Sequence, residues 1–188
     1  MGANYQLIEI NDIPFIERDA NNLMIIIICG LPGVGKTTVA KNLAPLVNAV
    51  ILSTDKIRKE LLSRPMYGWR EKRLIYDVMI LMAKYLDKVG INCILDATFT
   101  RELSRHAVKK KLGLGNKDFH IIECICPEDI VILRLRQRKH DYSDANFSIY
   151  NKMKKIYEPV KEEHITIDTS NFSKTGIRSL AAKILNKI

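Results

Sequence analysis

Residues 23–38 read LMIIIICGLPGVGKTT, an apolar run followed by a glycine-rich turn and the beginning of a helical pattern. The turn matches the pattern G-x-x-x-x-G-K-[ST] at Gly30, Gly35, Lys36 and Thr37. Glycines allow consecutive backbone N–H groups to face a phosphate, and the N-terminus of the following helix adds partial positive charge. A glycine-rich turn without a ligand is the alternative, which the presence of all four required residues between a strand and a helix disfavours. The stretch therefore predicts a binding site for a nucleoside triphosphate.

The residues of this turn have distinct expected contacts. Lys36 is expected to reach the β- and γ-phosphates, and the Thr37 hydroxyl is expected to ligate Mg²⁺. The residues expected to bind the nucleotide are Gly30, Gly33, Val34, Gly35, Lys36, Thr37 and Thr38. ATP and Mg²⁺ are the expected cofactors.

Apolar runs and helical patterns alternate along the rest of the chain. Strands are predicted at 23–29, 49–53, 91–97, 119–126 and 164–168. Helices are predicted at 36–47, 54–63, 70–89 and 101–112, from residue 127 onward, and at 144–157 and 174–187. Continuous apolar strands that alternate with helices predict a parallel sheet covered on both faces. The expected fold class is α/β, a three-layer P-loop NTPase fold with a five-stranded parallel sheet.

The length of 188 residues corresponds to one domain, or to one domain with a small appendage. Residues 23–188 form the expected domain, and residues 1–22 an N-terminal extension that either adds an edge strand at 5–10 or stays loosely attached. The apolar stretches are far shorter than the roughly 20 residues of a membrane helix. The chain start lacks the regions of a secretory signal, so a cytoplasmic location and no membrane partner are expected.

The net charge indicates the class of partner, and the cysteine content bears on zinc binding. The net charge of +9 suits an anionic partner, whether a nucleotide, a polyphosphate or a nucleic acid, and does not distinguish among them. Four cysteines lie inside predicted strands, and the chain has no C-x-x-C pair, which disfavours zinc. Buried free thiols are the expected state of these cysteines.

An acidic residue ends the strand predicted at 91–97. Asp96 stands where a parallel sheet presents its ligand site, and an acid there matches the second Mg²⁺-associated position of P-loop proteins. Ala97 and Thr98 follow it, so the adjacent glutamate of AAA-type motors is missing. The alternative is an aspartate that caps the following loop.

Asp55 and Arg58 lie three residues apart at the beginning of a predicted helix, so they share one helix face. Asp55 would take the proton from an attacking hydroxyl, while Arg58 would hold the acceptor or its transferred phosphate. The competing interpretation is a first-turn acid that the helix dipole favours, next to an exposed arginine.

A second basic segment, ILRLRQRKHDYSDA at 132–145, places Arg134 and Arg138 one helical turn apart. Such cations could neutralise charge on the γ-phosphate, although a solvated basic helix face is the alternative. Arg101 and Arg105 form a similar pair after Asp96 and are secondary candidates.

Four segments together resemble a known kinase family. They are GLPGVGKTT at 30–38, LSTDKIRKEL at 52–61, ILDATFTRELSRH at 94–106, and CPEDIVILRLRQRKHDYSDA at 126–145 followed by YEP at 157–159. Over roughly residues 23–168 the chain resembles the P-loop kinase family that includes the kinase domain of phage polynucleotide kinase.

The resemblance implies specific roles. It makes Asp55 the catalytic base and Arg58 an acceptor-side arginine, and it puts Asp96 in the Walker B position. It assigns Arg134 and Arg138 to a helical lid over ATP at about 134–146.

The acceptor is the least defined part of the predicted function. The segment RPMYGWREKR at 64–73 carries Tyr67 and Trp69, which could stack on a nucleotide or anchor a helix to the core. A single-stranded 5′-hydroxyl nucleic acid is the leading expectation for the hydroxyl acceptor. The alternatives are a small-molecule kinase and a nucleotide-dependent binding protein or switch. No obligate protein partner is expected.

Overall fold

Five parallel strands form the central sheet of the computed structural model, which describes residues 24–115, 119–137 and 143–186. The strands are β1 (Ile25–Cys29), β2 (Ala49–Ser53), β3 (Asn92–Asp96), β4 (Phe119–Ile125) and β5 (Ile165–Asp168). Their order in the sheet is β2-β3-β1-β4-β5, and every neighbouring pair is parallel. Because β1 lies in the centre, with β3 on one side and β4 on the other, its carboxyl end is a topological switch point, where α/β proteins bind ligands.

Helices follow the strands in the predicted alternation. They are α1 (Lys36–Leu43), α2 (Thr54–Leu61), α3 (Trp69–Lys88), α4 (Glu102–Leu112), α5 (Glu128–Gln137), α6 (Phe147–Lys154) and α7 (Lys174–Leu185). A short 3₁₀ helix, Ala44–Leu46, continues α1.

Two helices differ from their predicted bounds for local reasons. The α-helical part of α1 ends at Leu43 rather than at residue 47, because Pro45 has no N–H to donate. The sixth helix begins at Phe147 rather than at 144, since the Asn146 side chain caps it by accepting a hydrogen bond from Ile149 N (3.0 Å).

The two faces of β1 bury different clusters. Ile26 and Ile28 pack with residues of α1 and α7 on one face, while Ile25 and Ile27 pack with residues of α3 and α4 on the other. All four isoleucines are fully buried. A strand buried on both faces requires helices on both sides of the sheet, which confirms the predicted three-layer α/β fold.

A buried arginine joins α4 to the segment before β5. The Arg105 guanidinium is fully buried, and it donates hydrogen bonds to the backbone oxygens of Phe99 (2.9 Å), Glu158 (3.3 Å) and Pro159 (3.1 Å). Arg105 was a secondary candidate for contacting phosphate together with Arg101. That interpretation is wrong for Arg105, because its guanidinium is occupied by backbone carbonyl groups inside the fold.

Two predicted features lie outside the described residues. They are the N-terminal extension at 1–22 and the part of the predicted lid at 138–142, which includes Arg138. None of the helices within the described ranges combines the length and the apolar character needed to cross a membrane.

Candidate active site

The turn between β1 and α1 has the geometry of a phosphate loop. Gly30 and Gly35 have φ angles of 134° and 89°, which L side chains rarely adopt. A Cβ atom at Gly30 would collide with the backbone oxygen of Cys124, so this position also requires the missing side chain. Within the described residues, no side chain caps the N-terminus of α1 and its first turn contains no acid. The first N–H groups of α1 therefore suit an anion from outside the chain.

Lys36 folds back over the loop. Its Nζ donates a hydrogen bond to the Leu31 backbone oxygen at 2.8 Å. Burial lowers the pKa of Lys36, and the nearby Asp96 carboxylate partly offsets this effect. The ammonium group is thus held beside the loop in the region where nucleotide phosphates would lie.

Asp96 and Thr37 meet at the carboxyl edge of the sheet. The Thr37 hydroxyl donates to Asp96 Oδ2 at 2.7 Å, and Asp96 is buried at the end of β3. Burial raises the pKa of Asp96, while Lys36 and the Thr37 hydroxyl act in the opposite direction. A carboxylate and a hydroxyl beside a phosphate loop fit Mg²⁺, which takes oxygen ligands and completes its shell from phosphates and water.

Asp55 and Arg58 form an ion pair at the beginning of α2. Arg58 Nη1 donates to Asp55 Oδ1 at 3.1 Å, and Arg58 Nε donates to Glu71 Oε1 at 2.8 Å. Arg58 is buried, so the alternative of an exposed arginine beside a dipole-favoured acid is wrong. Glu71 also accepts hydrogen bonds from the N–H groups of Met66 and Tyr67. The sequence analysis missed Glu71, which lies in the next helix and has no spacing relation to Asp55.

The segment before α6 contacts the same side of the site. Lys59 Nζ donates to Asp144 Oδ1 at 2.9 Å, and the Tyr67 hydroxyl donates to Asp144 Oδ2. The Arg58 guanidinium lies 4.9 Å from the centre of the Tyr67 ring, a cation–π contact. We call Asp144, Lys59 and Tyr67 the Asp144 clasp.

Tyr67 and Trp69 do not anchor a helix to the core. Trp69 is 70% exposed and Tyr67 is 49% exposed, so the core-packing alternative is wrong for both. Tyr67 lies at the cavity, whereas Trp69 is at the exposed beginning of α3.

Arg134 contacts the phosphate loop through Thr169. Its Nη2 donates to the Thr169 backbone oxygen at 2.6 Å and its Nη1 to Thr169 Oγ1 at 3.0 Å. Thr169 Oγ1 in turn donates to the Val34 backbone oxygen at 2.6 Å. A Cβ atom at Gly35 would lie 3.5 Å from Arg134 Nη1, so the guanidinium is against the loop. The sequence analysis missed Thr169, although its position directly after β5 is where a parallel sheet presents ligand-site residues.

One cavity of about 920 Å³ is lined by several of these groups. It is lined by the phosphate loop with Lys36 and Thr37, by Asp96, and by Asp55, Arg58, Tyr67 and Asp144. Lys72 and Tyr76, one helical turn apart on α3, also line it and were missed from the sequence. Nothing in the basic segment 70–73 distinguishes Lys72 from Arg70 and Arg73.

A smaller cavity of about 440 Å³ lies at the opposite edge of the sheet, at the first residues of β4 and β5. The larger cavity is the candidate active site, because it contains the phosphate loop and both acids predicted for the chemistry.

Several solved structures with the same fold are kinases by name. A sugar kinase from Janibacter sp. has a TM-score of 0.66 at 13% identity and covers 87% of this chain and 95% of its own. An APS kinase from Mycobacterium tuberculosis has a TM-score of 0.64 at 17% identity, over 88% of this chain and 97% of its own. A gluconokinase from Sinorhizobium meliloti has a TM-score of 0.63 at 12% identity, over 89% of this chain and 94% of its own. At these identities the likeness shows the P-loop kinase fold.

Curated relatives share the sequence over a shorter region. Uncharacterized proteins from Mycobacterium tuberculosis and Mycobacterium bovis are 26% identical over an alignment of 132 residues, and the alignment covers 64% of this chain. The matched region spans 26% of the length of these relatives.

A family model covers most of the described domain. The model described as AAA domain (AAA_33) matches residues 25–160, which is more than half of the chain. The matched region contains the phosphate loop, Asp55 and Asp96, while Ala97 follows Asp96 in place of the glutamate of AAA-type motors. The chain therefore belongs to the AAA_33 family of AAA domains.

Proposed function

We propose that the protein is a phosphotransferase that transfers the γ-phosphate of ATP to a hydroxyl group of a small molecule. The observation that carries this proposal is that the phosphate loop and the Asp55 carboxylate open into one cavity. A nucleotide held by the loop and an acceptor beside Asp55 would then meet in a shared space. Its volume of about 920 Å³ is within the range of small-molecule sites, roughly 300–1,000 Å³.

The nucleotide side of the cavity holds the phosphates. Backbone N–H groups of Gly33 to Thr38 bind phosphate oxygens, and Lys36 leaves the Leu31 carbonyl to contact the β- and γ-phosphates. Asp96 and Thr37 would hold Mg²⁺, and the bound ion would neutralise charge on the phosphate oxygens. Arg134 supports the loop through Thr169 and adds positive charge next to Gly35.

The acceptor side supplies the base. The acceptor oxygen attacks the γ-phosphorus, the bond from this phosphorus to the β–γ bridging oxygen breaks, and ADP leaves. The hydroxyl proton passes to the Asp55 carboxylate, which Arg58 orients through its hydrogen bond. Arg58 also lines the cavity, where it can contact the acceptor or the transferred phosphoryl group.

A helical lid over about 134–146, with Arg138 facing the phosphates, remains a prediction. Arg134 belongs to the described helix α5, whereas Arg138 lies in the part of the chain that the structure does not describe.

The comparisons favour a small molecule over a nucleic acid as acceptor. The structures that share the fold are named as a sugar kinase, an APS kinase and a gluconokinase. The 5′-hydroxyl nucleic acid, predicted from the basic excess together with the Asp55–Arg58 pair and the Tyr67 and Trp69 segment, has no comparable support. It therefore becomes one outcome of the test.

The test is a transfer assay with γ-labelled ATP and Mg²⁺. Sugars, sugar acids, aminoglycosides, nucleosides and 5′-hydroxyl oligonucleotides serve as acceptors, and Lys36→Ala is the inactive control. We expect transfer of label to one class of small hydroxyl compound and none with Lys36→Ala. Slow ATP hydrolysis that no hydroxyl compound accelerates would identify a nucleotide-dependent switch instead. Transfer to oligonucleotides alone would restore the nucleic-acid interpretation.

A further inference from the structure

The acceptor side of the cavity contains a lysine with an unusual environment. Lys72 lies in the first turns of α3 and lines the cavity together with Asp55, Arg58 and Tyr76. Its side chain is partly buried, so part of its hydration is lost. A partly buried ammonium group normally has a carboxylate partner, because removing a charge from water costs free energy.

Two neighbouring cations have such partners. Arg58 is held by Asp55 and Glu71, and Lys59 is held by Asp144. Among the described residues, no Asp or Glu oxygen lies within 4.0 Å of the Lys72 ammonium group, and Lys72 makes no side-chain hydrogen bond. The adjacent Glu71 points to Arg58 and to the N–H groups before α3, as neighbouring positions on a helix do not face each other.

The surrounding charges are of the same sign. Burial lowers the pKa of Lys72, and the guanidinium groups of Arg101 and Arg58 lower it further. Arg101, which was paired with Arg105 in the sequence analysis, is exposed and stands at the N-terminus of α4. The positive charges of Arg58 and Arg101 thus act on Lys72, while the carboxylates of Asp55 and Glu71 already bind Arg58. Such an arrangement is unfavourable without an anion and becomes favourable when one binds.

We infer that the acceptor carries an anionic group, a carboxylate, phosphate or sulfate, which binds to Lys72 while its hydroxyl group lies at Asp55. This inference rests on the proposed phosphotransferase function for the hydroxyl group, and on the cavity charges for the anion. Lys72 is a specificity-determining residue in this scheme. It selects anionic over neutral hydroxyl compounds and takes no part in the proton transfer.

The test uses pairs of hydroxyl compounds that differ in their anionic group. The pairs are D-gluconate with D-glucose, glucose 6-phosphate with D-glucose, and D-glycerate with glycerol. Binding is measured by calorimetry with the nucleotide site saturated by AMPPNP and Mg²⁺, and transfer is measured with γ-labelled ATP. The variants are Lys72→Met, which removes the charge, and Lys72→Arg, which keeps it. Lys84→Met, an exposed site on the same helix, is the matched control.

We expect at least one anionic compound to bind more tightly than its neutral partner. Lys72→Met should raise its Kd and KM by about 10- to 100-fold, the usual effect of losing a hydrogen bond to a charged group. The KM for ATP in Lys72→Met should change less than about threefold. The Kd and KM for the anionic compound in Lys72→Arg and Lys84→Met should also change less than about threefold, as expected for sites without a lost charge contact.

Two results would overturn the inference, namely equal binding of both members in every pair, or an unchanged Kd for the anionic member in a folded Lys72→Met protein. Failure of the proposed function would look different. The protein would then bind the anionic compound through Lys72 but transfer no phosphate to it, so the anion site would stand and the kinase reaction would not.

Discussion

The Asp55 carboxylate is the residue on which the proposed proton transfer depends. Asp55→Asn should lower kcat by about 10²- to 10⁴-fold, the usual contribution of a general base. The amide keeps a group that can accept from Arg58, so the ion-pair geometry changes little while the basic oxygen is lost. The measurement is a steady-state assay with saturating ATP and a direct titration of nucleotide binding.

A matched control for Asp55→Asn is Glu60→Gln, which removes an exposed carboxylate from the same helix. It should leave kcat and KM unchanged. Loss of ATP binding in Asp55→Asn, with normal kcat at saturation, would instead assign Asp55 to the nucleotide side.

Single residues also show where sequence patterns stop being informative. The three-residue spacing of Asp55 and Arg58 predicted that they share a helix face, and the structure joins them by a 3.1 Å hydrogen bond. Glu71 completes the same cluster from another helix. A contact between side chains on separate elements depends on how the elements pack, and no local spacing encodes it.

The cysteines allow a second prediction at this scale. Cys29, Cys93 and Cys124 are buried free thiols, whereas Cys126 is partly exposed. Burial raises the pKa of Cys29 to about 11 and of Cys93 to about 12, and it also raises the pKa of Cys124. Because the thiolate is the reactive form, these three should react slowly at neutral pH.

Labelling the folded protein with iodoacetamide at pH 7.5, followed by peptide mass spectrometry, should therefore find Cys126 modified first. All four cysteines should react after unfolding in guanidinium chloride. Modification of Cys29 or Cys93 as fast as Cys126 in the folded protein would contradict their burial.

Contacts between elements lie at the proposed acceptor side of the cavity. The Asp144 clasp connects the segment before α6 with α2 and with the loop before α3. Both charged partners are partly exposed, so their ion pair contributes little to stability, typically below about 1 kcal/mol. Its effect should therefore appear in acceptor binding rather than in unfolding.

Asp144→Ala should raise the KM of the acceptor roughly 3- to 10-fold, as expected for the loss of about one net hydrogen bond. The KM for ATP and the urea unfolding midpoint should stay nearly unchanged. Lys59→Met removes the same ion pair from the other partner and should reproduce the effect. An unchanged acceptor KM in both variants would leave the clasp without a role in acceptor binding.

The element bounds were largely predictable, because hydrophobic periodicity and turn residues act locally. The strand predicted at 49–53 is β2, and α4 ends at residue 112 as predicted, before Gly113 with a φ of 67°. The sixth helix was predicted to begin at residue 144 but begins at Phe147. Residues 144–146 are not helical, because Asn146 caps the helix and Asp144 makes contacts with other elements. Tertiary contacts thus overrode the local pattern there.

At the scale of the whole molecule, the proposed nucleotide half of the site was more predictable than the proposed acceptor half. The phosphate loop is one continuous segment, and Asp96 follows from the rule that strand ends meet at one edge of a parallel sheet. The acceptor half assembles Lys72, Glu71, Tyr67 and Asp144 from separate elements. Their proximity depends on the packing of α2, α3 and the segment before α6, which no motif in the sequence specifies.

Nucleotide binding should stabilise the entire fold, because the phosphate loop joins the central strand to α1. A ligand that binds the folded state alone adds about 2.7 kcal/mol at 100 times its Kd. For a domain of this size that corresponds to a rise in Tm of about 5 to 11 °C. The measurement is differential scanning calorimetry with AMPPNP and Mg²⁺, which avoids turnover.

The control variant is Lys36→Ala. It should keep the ligand-free Tm within a few degrees, since Lys36 contacts the loop rather than the core. It should lose most of the shift in Tm that the nucleotide causes. An equal shift in both proteins would place the nucleotide away from the phosphate loop, and the proposed chemistry would then have no structural basis.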